Sequence, residues 1–247
     1  MGGALGPCKR PPWIASTAED MLTFQVSPSH PGPLSSLVVL SSPSPDAPLP
    51  AEFLRRARAL ADAYLSSDDP HRQCGFGGGS SRWRAEREPL LDAIDEDGDF
   101  LDLGCANGLL LESVVEWGTH RGVTLTPHGL DLSAELIALA RRRLPAHADS
   151  LHVGDAWSWS PVRRVRWVYA LSDLVPSTHL GELVNRLALE VVAPGGRLIL
   201  GSYGSRSRGV APDDLAAQLR ELGHDVRGES AGGTGPVTRF AWIDVST

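Results

Sequence analysis

The sequence predicts a doubly wound α/β fold, a mostly parallel sheet with helices on both faces. Three observations carry that expectation. From residue 100 onward, short apolar runs of strand length alternate with segments of helical period. One strand, Phe100–Leu103, runs directly into a turn of small residues and then a helix. Acidic residues close three successive strands, at the edge where such sheets hold their ligands.

Residues 1–50 hold ten of the 19 prolines, many serines and no sustained apolar period. Proline removes a backbone donor and fixes φ, so this stretch is expected to be a disordered arm. Met21, the second methionine, offers an alternative start. From Ala51 the pattern changes. Phe53, Leu54, Ala57, Leu60, Ala61 and Tyr64 recur at helical spacing and stop before Ser66–Pro70. Arg72–Gly79 reads as a glycine-rich loop, after which Ser80 or Ser81 can cap a helix running to about Ile94. The division expected is an arm (1–50), an N-terminal helical cap or lid (51–98) and a core (99–247).

Within the core, strands are expected at Phe100–Leu103, Thr124–Leu130, Leu151–Val153, Val165–Ala170, Gly196–Tyr203 and Val237–Val245, with a further short one at Asp225–Gly228. Helices are expected at Leu109–Trp117, Ala134–Arg143, His179–Val192 and Pro212–Leu222.

Composition removes several classes of function. The 247 residues carry 23 Lys+Arg against 30 Asp+Glu, a net charge of −7, which argues against a nucleic-acid partner held by bulk charge. The arginine runs Arg55, Arg56, Arg58 and Arg141–Arg143 read as solvated helix faces. The three cysteines, Cys8, Cys74 and Cys105, are scattered and match no metal-ligand spacing, so neither a disulfide framework nor a metal site is expected. Lys9 is the sole lysine and lies in the proline-rich stretch, which leaves P-loop and Schiff-base chemistry without a residue. No run of about 18 apolar residues and no signal-peptide pattern occurs, so a cytoplasmic chain with no membrane partner is expected.

The strongest motif is Asp102-Leu103-Gly104-Cys105-Ala106-Asn107-Gly108. Glycines at 104 and 108 let the backbone bend tightly and lie against a ligand. A dinucleotide fingerprint would be Gly-x-Gly-x-x-Gly, without a carboxylate in front of it. A pyrophosphate would be repelled by Asp102, whereas a cationic or zwitterionic ligand would be attracted. Asp131, 23 residues beyond Gly108, closes the next strand near the spacing at which an acid accepts ribose hydroxyls in doubly wound folds. Capping of the helix from Ala134 is its structural alternative, although Ser133 caps equally well. Gly154-Asp155-Ala156 closes the third strand, where a carboxylate can accept from an exocyclic amine such as that of adenine.

Taken together, Asp102-x-Gly104-x-Ala106-x-Gly108, Asp131 and Gly154-Asp155-Ala156 resemble the class I S-adenosylmethionine (SAM)-dependent methyltransferases over roughly Ala51–Thr247. The resemblance implies a Rossmann-like seven-stranded sheet with its last strand antiparallel, and SAM as cofactor. It places Asp102 and the Gly104–Gly108 loop, with Cys105, Ala106 and Asn107, against the amino-acid part of the cofactor. It puts Asp131 on the ribose and Asp155 with Ala156 on the adenine. Leu132, Trp157 and Ala170 complete the implied cofactor set. Ala106 departs from the family, which often has glycine there. The segment Arg72–Gly79 with Trp83 lies where relatives often place a lid.

The methyl acceptor is not legible. Ser172, Asp173, His179 and Tyr203 are candidates for catalysis by position alone, each with an ordinary turn, cap or core role as its alternative. The stretch Tyr169–Pro176 lacks the Asn/Asp-Pro-Pro-Tyr/Phe motif, and by resemblance that disfavours amine methylation of bases or glutamine. Acidic charge and small size favour a small-molecule acceptor. A non-catalytic nucleoside-binding module of the same fold and, more remotely, a nicotinamide-dependent oxidoreductase are the alternatives. Gly228-Glu229-Ser230-Ala231-Gly232 matches the serine-hydrolase pattern, but no histidine follows Ser230 as that triad order requires.

Overall fold

The computed structural model describes residues 47–235 and 237–246. The strands are β1 (Gly98–Leu103), β2 (Leu125–Asp131), β3 (Leu151–Val153), β4 (Val165–Leu171), β5 (Val192–Tyr203), β6 (Val226–Gly232) and β7 (Thr238–Asp244). The α-helices are α1 (Ala51–Leu65), α2 (Ser80–Arg87), α3 (Leu109–His120), α4 (Ala134–Arg143), α5 (Leu180–Arg186) and α6 (Leu215–Glu221). One sheet joins all seven strands in the order β3-β2-β1-β4-β5-β7-β6, parallel throughout except β7, which runs antiparallel to β5 and β6. This is the doubly wound architecture expected, with the last strand reversed.

The order reverses between β1 and β4, which opens a crevice at the carboxyl ends of those strands. Each face of the sheet has its own apolar layer. Phe100, Tyr169, Ile199 and Trp242 pack with α3, α4 and Trp83, while Leu101, Val168, Leu198 and Ala241 pack with α5 and α6. The second layer is mostly Val, Leu and Ile, while the strands of the first contribute aromatic rings, and both faces are buried as a doubly covered sheet requires.

Several boundaries move for identifiable reasons. The expected arm lies outside the described residues through position 46, but its last residues are packed: Leu49 is buried in the core and the Ala47 carbonyl accepts from Trp157 Nε1 at 2.9 Å. The helix expected to be capped by Ser80 or Ser81 and to run to Ile94 has Gly79 at its N-cap position, with no side-chain cap, begins at Ser80 and ends at Arg87. Pro89 breaks it, because its missing N–H and its ring release the Ala85 carbonyl. That carbonyl accepts from Gly233 N at 3.0 Å, so the break fastens α2 to the turn after β6. The chain continues as a 3₁₀ segment, Glu88–Ala93. The helix expected over His179–Val192 ends at Arg186 and passes through a π-helical turn, Leu187–Val191, into a β5 that begins four residues early. Asp214 caps α6, which is shorter than expected.

The strand expected at Asp225–Gly228 extends to Gly232. It therefore carries Ser230 in mid-strand, where its hydroxyl donates to the Pro89 carbonyl at 2.7 Å. That position is not a strand-to-helix elbow, so the hydrolase pattern is a coincidence of sequence. Among the described residues, no helix is long and apolar enough to cross a membrane.

Gly129, on β2 beside Asp102, lets the motif loop sit flat. A Cβ there would stand 2.8 Å from Cys105 Sγ, 2.8 Å from Leu151 Cδ2 and 3.0 Å from Leu111 Cδ1. Gly129→Ala is expected to destabilise the chain by about 1–3 kcal/mol in denaturant unfolding, with part of the loss recovered in the Gly129→Ala, Cys105→Ala double variant. Additive losses in the double variant would show that the contact does not set the loop.

Candidate functional site

The site is built on the loop between β1 and α3. Gly104 (φ +82°), Ala106 (φ +48°) and Gly108 (φ +75°) all have left-handed backbone, and Ala106 is the one non-glycine with positive φ among the described residues. An L-residue in that region costs roughly 1–2 kcal/mol, so something must hold it. Asp131 does: its Oδ2 accepts from Ala106 N at 2.9 Å and its Oδ1 from Ser133 N at 2.9 Å. The helix-cap alternative for Asp131 is not realised, because Ser133 caps α4 through Leu136 N. Gly108 has a packing reason as well: a Cβ there would lie 3.0 Å from Ala140 Cβ on α4.

Asp102 is buried at the end of β1, in register with Gly129 on β2 and Tyr169 on β4. Among the described residues nothing donates a hydrogen bond to its carboxylate. Burial, aided by the nearby Asp131 charge, pushes its pKa well above the ordinary carboxylate range. Burial likewise raises Asp131, partly opposed by its two backbone donors. Asp155 follows β3 and accepts from Trp157 N at 2.9 Å, while Gly154 N donates to the Asp131 carbonyl at 2.9 Å. Asp102, Asp131 and Asp155 therefore stand along one edge, at the carboxyl ends of three adjacent strands. Leu132, 45% exposed, lies between the last two in sequence, and Val153, 48% exposed, ends β3.

Other residues expected at this edge face elsewhere. The Cys105 thiol points under the loop toward Gly129, and burial raises its pKa. Ala170 is fully buried in the core. Trp157 is buried with its ring edge-on to His179. Ala156 is buried, and its carbonyl accepts from Arg186 Nη2. The Asn107 side chain donates to the Pro70 carbonyl at 2.9 Å and to Gln73 Oε1 at 3.2 Å, and accepts from Leu109 N at 3.2 Å. That amide pins the segment before α2 onto the motif loop. The same segment is closed by aromatic contacts, Phe76 with Trp83 at 5.2 Å and His71 with Trp83 at 5.5 Å between centroids, and Trp83 Nε1 donates to Ser113 Oγ at 2.9 Å.

The catalytic candidates separate by environment. Tyr203 Oη lies 2.6 Å from Tyr169 Oη, and burial pushes the Tyr203 phenol up to about 12, which makes it a poor base near neutral pH. His179 bonds Thr178 and packs on Trp157. Ser172 is buried, 3.5 Å from Asp213 Oδ2. Asp173 is exposed as a residue, and desolvation, with the Asp213 charge adding to it, raises its pKa.

No protein-family model matches the sequence, and no curated protein matches it. Solved structures do resemble it. A chain from the complex of the Haloferax volcanii Trm112 methyltransferase activator with a methyltransferase superposes with a TM-score of 0.54 at 16% identity, covering 77% of this chain and 98% of that one. A DhpI–SAH complex gives 0.54 at 20% identity, covering 78% and 95%. The glycopeptide N-methyltransferase MtfA complexed with sinefungin gives 0.53 at 17% identity, covering 70% and 96%. The fold is that of the class I SAM-dependent methyltransferases.

Within this methyltransferase fold, several residues that shape the site carried no sequence signal. Arg186 donates to the carbonyls of Ala156 and Trp159, tying the turn after β3 to α5. Asp213 accepts from Ser202 Oγ at 3.0 Å, and its N–H donates back to that hydroxyl at 2.9 Å, closing the end of β5. The run Arg141–Arg143, expected as a solvated face, instead supplies two clasps: Arg141 to the Leu151 carbonyl at 2.7 Å and Arg143 to the Asn107 carbonyl at 3.1 Å. Such partners are far apart in sequence, and an arginine run gives no hint of which member turns inward.

The raised pKa of Asp102 has a sign in stability. The folded chain keeps a proton that the unfolded chain, near its ordinary value of 3.8, releases. The group therefore costs nothing below that pH and destabilises above it. Asp102→Asn is expected to raise the thermal unfolding midpoint at about pH 7 and to leave it nearly unchanged at about pH 3. An unchanged or lower midpoint at pH 7 would contradict the assignment.

Proposed function

We propose that the chain is a SAM-dependent methyltransferase acting on an oxygen or nitrogen of a small-molecule acceptor. The observation that carries the reading is the row of carboxylates, Asp102, Asp131 and Asp155, around a left-handed turn at the carboxyl ends of β1, β2 and β3. Asp102, with no internal donor, would take the ammonium of the methionyl part. Asp131 uses each oxygen once and keeps lone pairs for the ribose hydroxyls. Asp155 would accept from the adenine amine beside Ala156, with exposed Leu132 as an apolar wall. Backbone groups of Gly104–Gly108 would line the cofactor, whereas the side chains of Cys105, Asn107, Trp157 and Ala170 would act as supports. The DhpI and MtfA neighbours, solved as complexes with SAH and sinefungin, support the same choice of ligand.

The cofactor supplies a methyl group on a positively charged sulfur, and a lone pair of the acceptor displaces it in line. The protein's main contribution is then proximity and orientation. Residues 51–98 act as a cap: Asn107 holds Pro70 and Gln73, and Phe76 with Trp83 closes the segment over the loop. Where the acceptor must lose a proton, Asp173 is the candidate whose pKa suits the role, since it is raised toward neutrality relative to an ordinary carboxylate. Tyr203 orients rather than deprotonates.

Isothermal titration with SAM, S-adenosylhomocysteine (SAH) and NAD tests the reading. Micromolar binding of the two sulfur nucleosides is expected, weakened at least about tenfold in Asp131→Ala through loss of charged acceptors, with no NAD binding. Binding of NAD alone, or of none, would overturn it. Tight SAM binding without turnover on any acceptor would favour the non-catalytic alternative.

A further inference from the structure

Opposite the acidic edge lies a buried cation that its one anionic neighbour holds only loosely. Arg87 ends α2, and its side chain is only 7% exposed. Its Nη1 reaches the Glu86 carbonyl at a long 3.5 Å, and its Nε is buried with no partner. Its carboxylate neighbour is shared and distant: Glu86 Oε1 accepts from Arg82 Nε at 3.0 Å, and Glu86 Oε2 pairs with Arg87 Nη1 only at 3.8 Å. The guanidinium instead lies on the Tyr203 ring, 3.6 Å from its centroid, with Phe76 at 5.3 Å and Trp83 at 5.2 Å. Burying a guanidinium among aromatic rings costs more than stacking on them returns. A guanidinium so loosely paired, with its Nε unsatisfied, keeps donors for a ligand.

Its place in the sheet says which ligand. Asp102 stands on β1, in register with Tyr169 on β4, and the Tyr169 hydroxyl meets that of Tyr203 at the end of β5. Arg87 covers Tyr203, so it lies two strands from Asp102, on the far side of the crevice from Asp131 and Asp155. We propose that Arg87 receives a carboxylate of the methyl acceptor, and that the acceptor is a small organic acid whose planar or apolar body packs among Tyr203, Phe76 and Trp83. The planar guanidinium fork matches a carboxylate in a bidentate pair. The inference rests on the methyltransferase reading for the word acceptor, but the cation site itself does not depend on it.

The test uses benzoate, with benzamide as its uncharged counterpart, titrated into the full chain with and without saturating SAH. Benzoate is expected to bind at millimolar concentration, benzamide at least about tenfold more weakly. Arg87→Gln should weaken benzoate by about tenfold or more while SAH affinity stays within about threefold, and Arg87→Lys should recover part of the loss. The comparison of benzoate with benzamide in the unaltered chain needs no variant and decides the matter if Arg87→Gln fails to fold. Equal binding of the two probes, or no binding of benzoate, would overturn the proposal. So would a tenfold loss of SAH affinity in Arg87→Gln with 5′-methylthioadenosine unaffected, since the cation would then serve the cofactor's own carboxylate. Failure of SAH to bind the unaltered chain would instead strike the methyltransferase reading and leave the anion site standing.

Discussion

The bond between the Asp131 carboxylate and the Ala106 amide is the constraint on which the site depends. It holds an alanine in backbone that glycine would adopt freely, and with its other oxygen it fixes the start of the turn into α4. One side chain thereby joins the loop after β1 to the loop after β2. Asn107, next in the chain, extends the junction to the cap, and Arg143 returns it to α4. A ligand drawn to Asp131 meets a turn already shaped, which lowers the ordering cost of binding.

The reversal between β1 and β4 divides the crevice chemically as well as topologically. Toward β2 and β3 the groups are carboxylates, raised in pKa where burial outweighs the donors they accept from. Toward β5 they are aromatic rings and one buried guanidinium. Such a division suits a reaction between a cationic donor and an acidic acceptor, since each partner is drawn to its own side. Both halves lower stability, one by burying a carboxyl that must keep its proton and the other by burying a loosely paired guanidinium, which is a common character of functional sites.

The strands and the three carboxylates were legible because parallel strands are short apolar runs and because their carboxyl ends must carry the ligand groups. Asp131 and Asp155 sit where the expected strands stop. What was not legible depended on contacts distant in sequence. Pro89 gave a local warning that α2 would break, but where the freed Ala85 carbonyl would go was decided by Gly233. Cys105 and Asn107 stood within the motif like their neighbours, and only the position of Gly129 and of the Pro70–Gln73 segment turned them away from the edge. Arg87 looked like one more surface arginine on a helix, and Leu49 like part of a structureless arm. Each was resolved by tertiary packing, which periodicity does not encode.

The central claim is that the edge formed by Asp102, Asp131 and Asp155 is a nucleoside site. A crystal structure of the chain with SAH tests it most directly. The account predicts ribose hydroxyls within hydrogen-bond distance of Asp131, the adenine amine at Asp155 and the ammonium at Asp102, with the Ala106–Asp131 bond intact. Nucleoside bound away from this edge, or at the edge with Asp131 uninvolved, would contradict it.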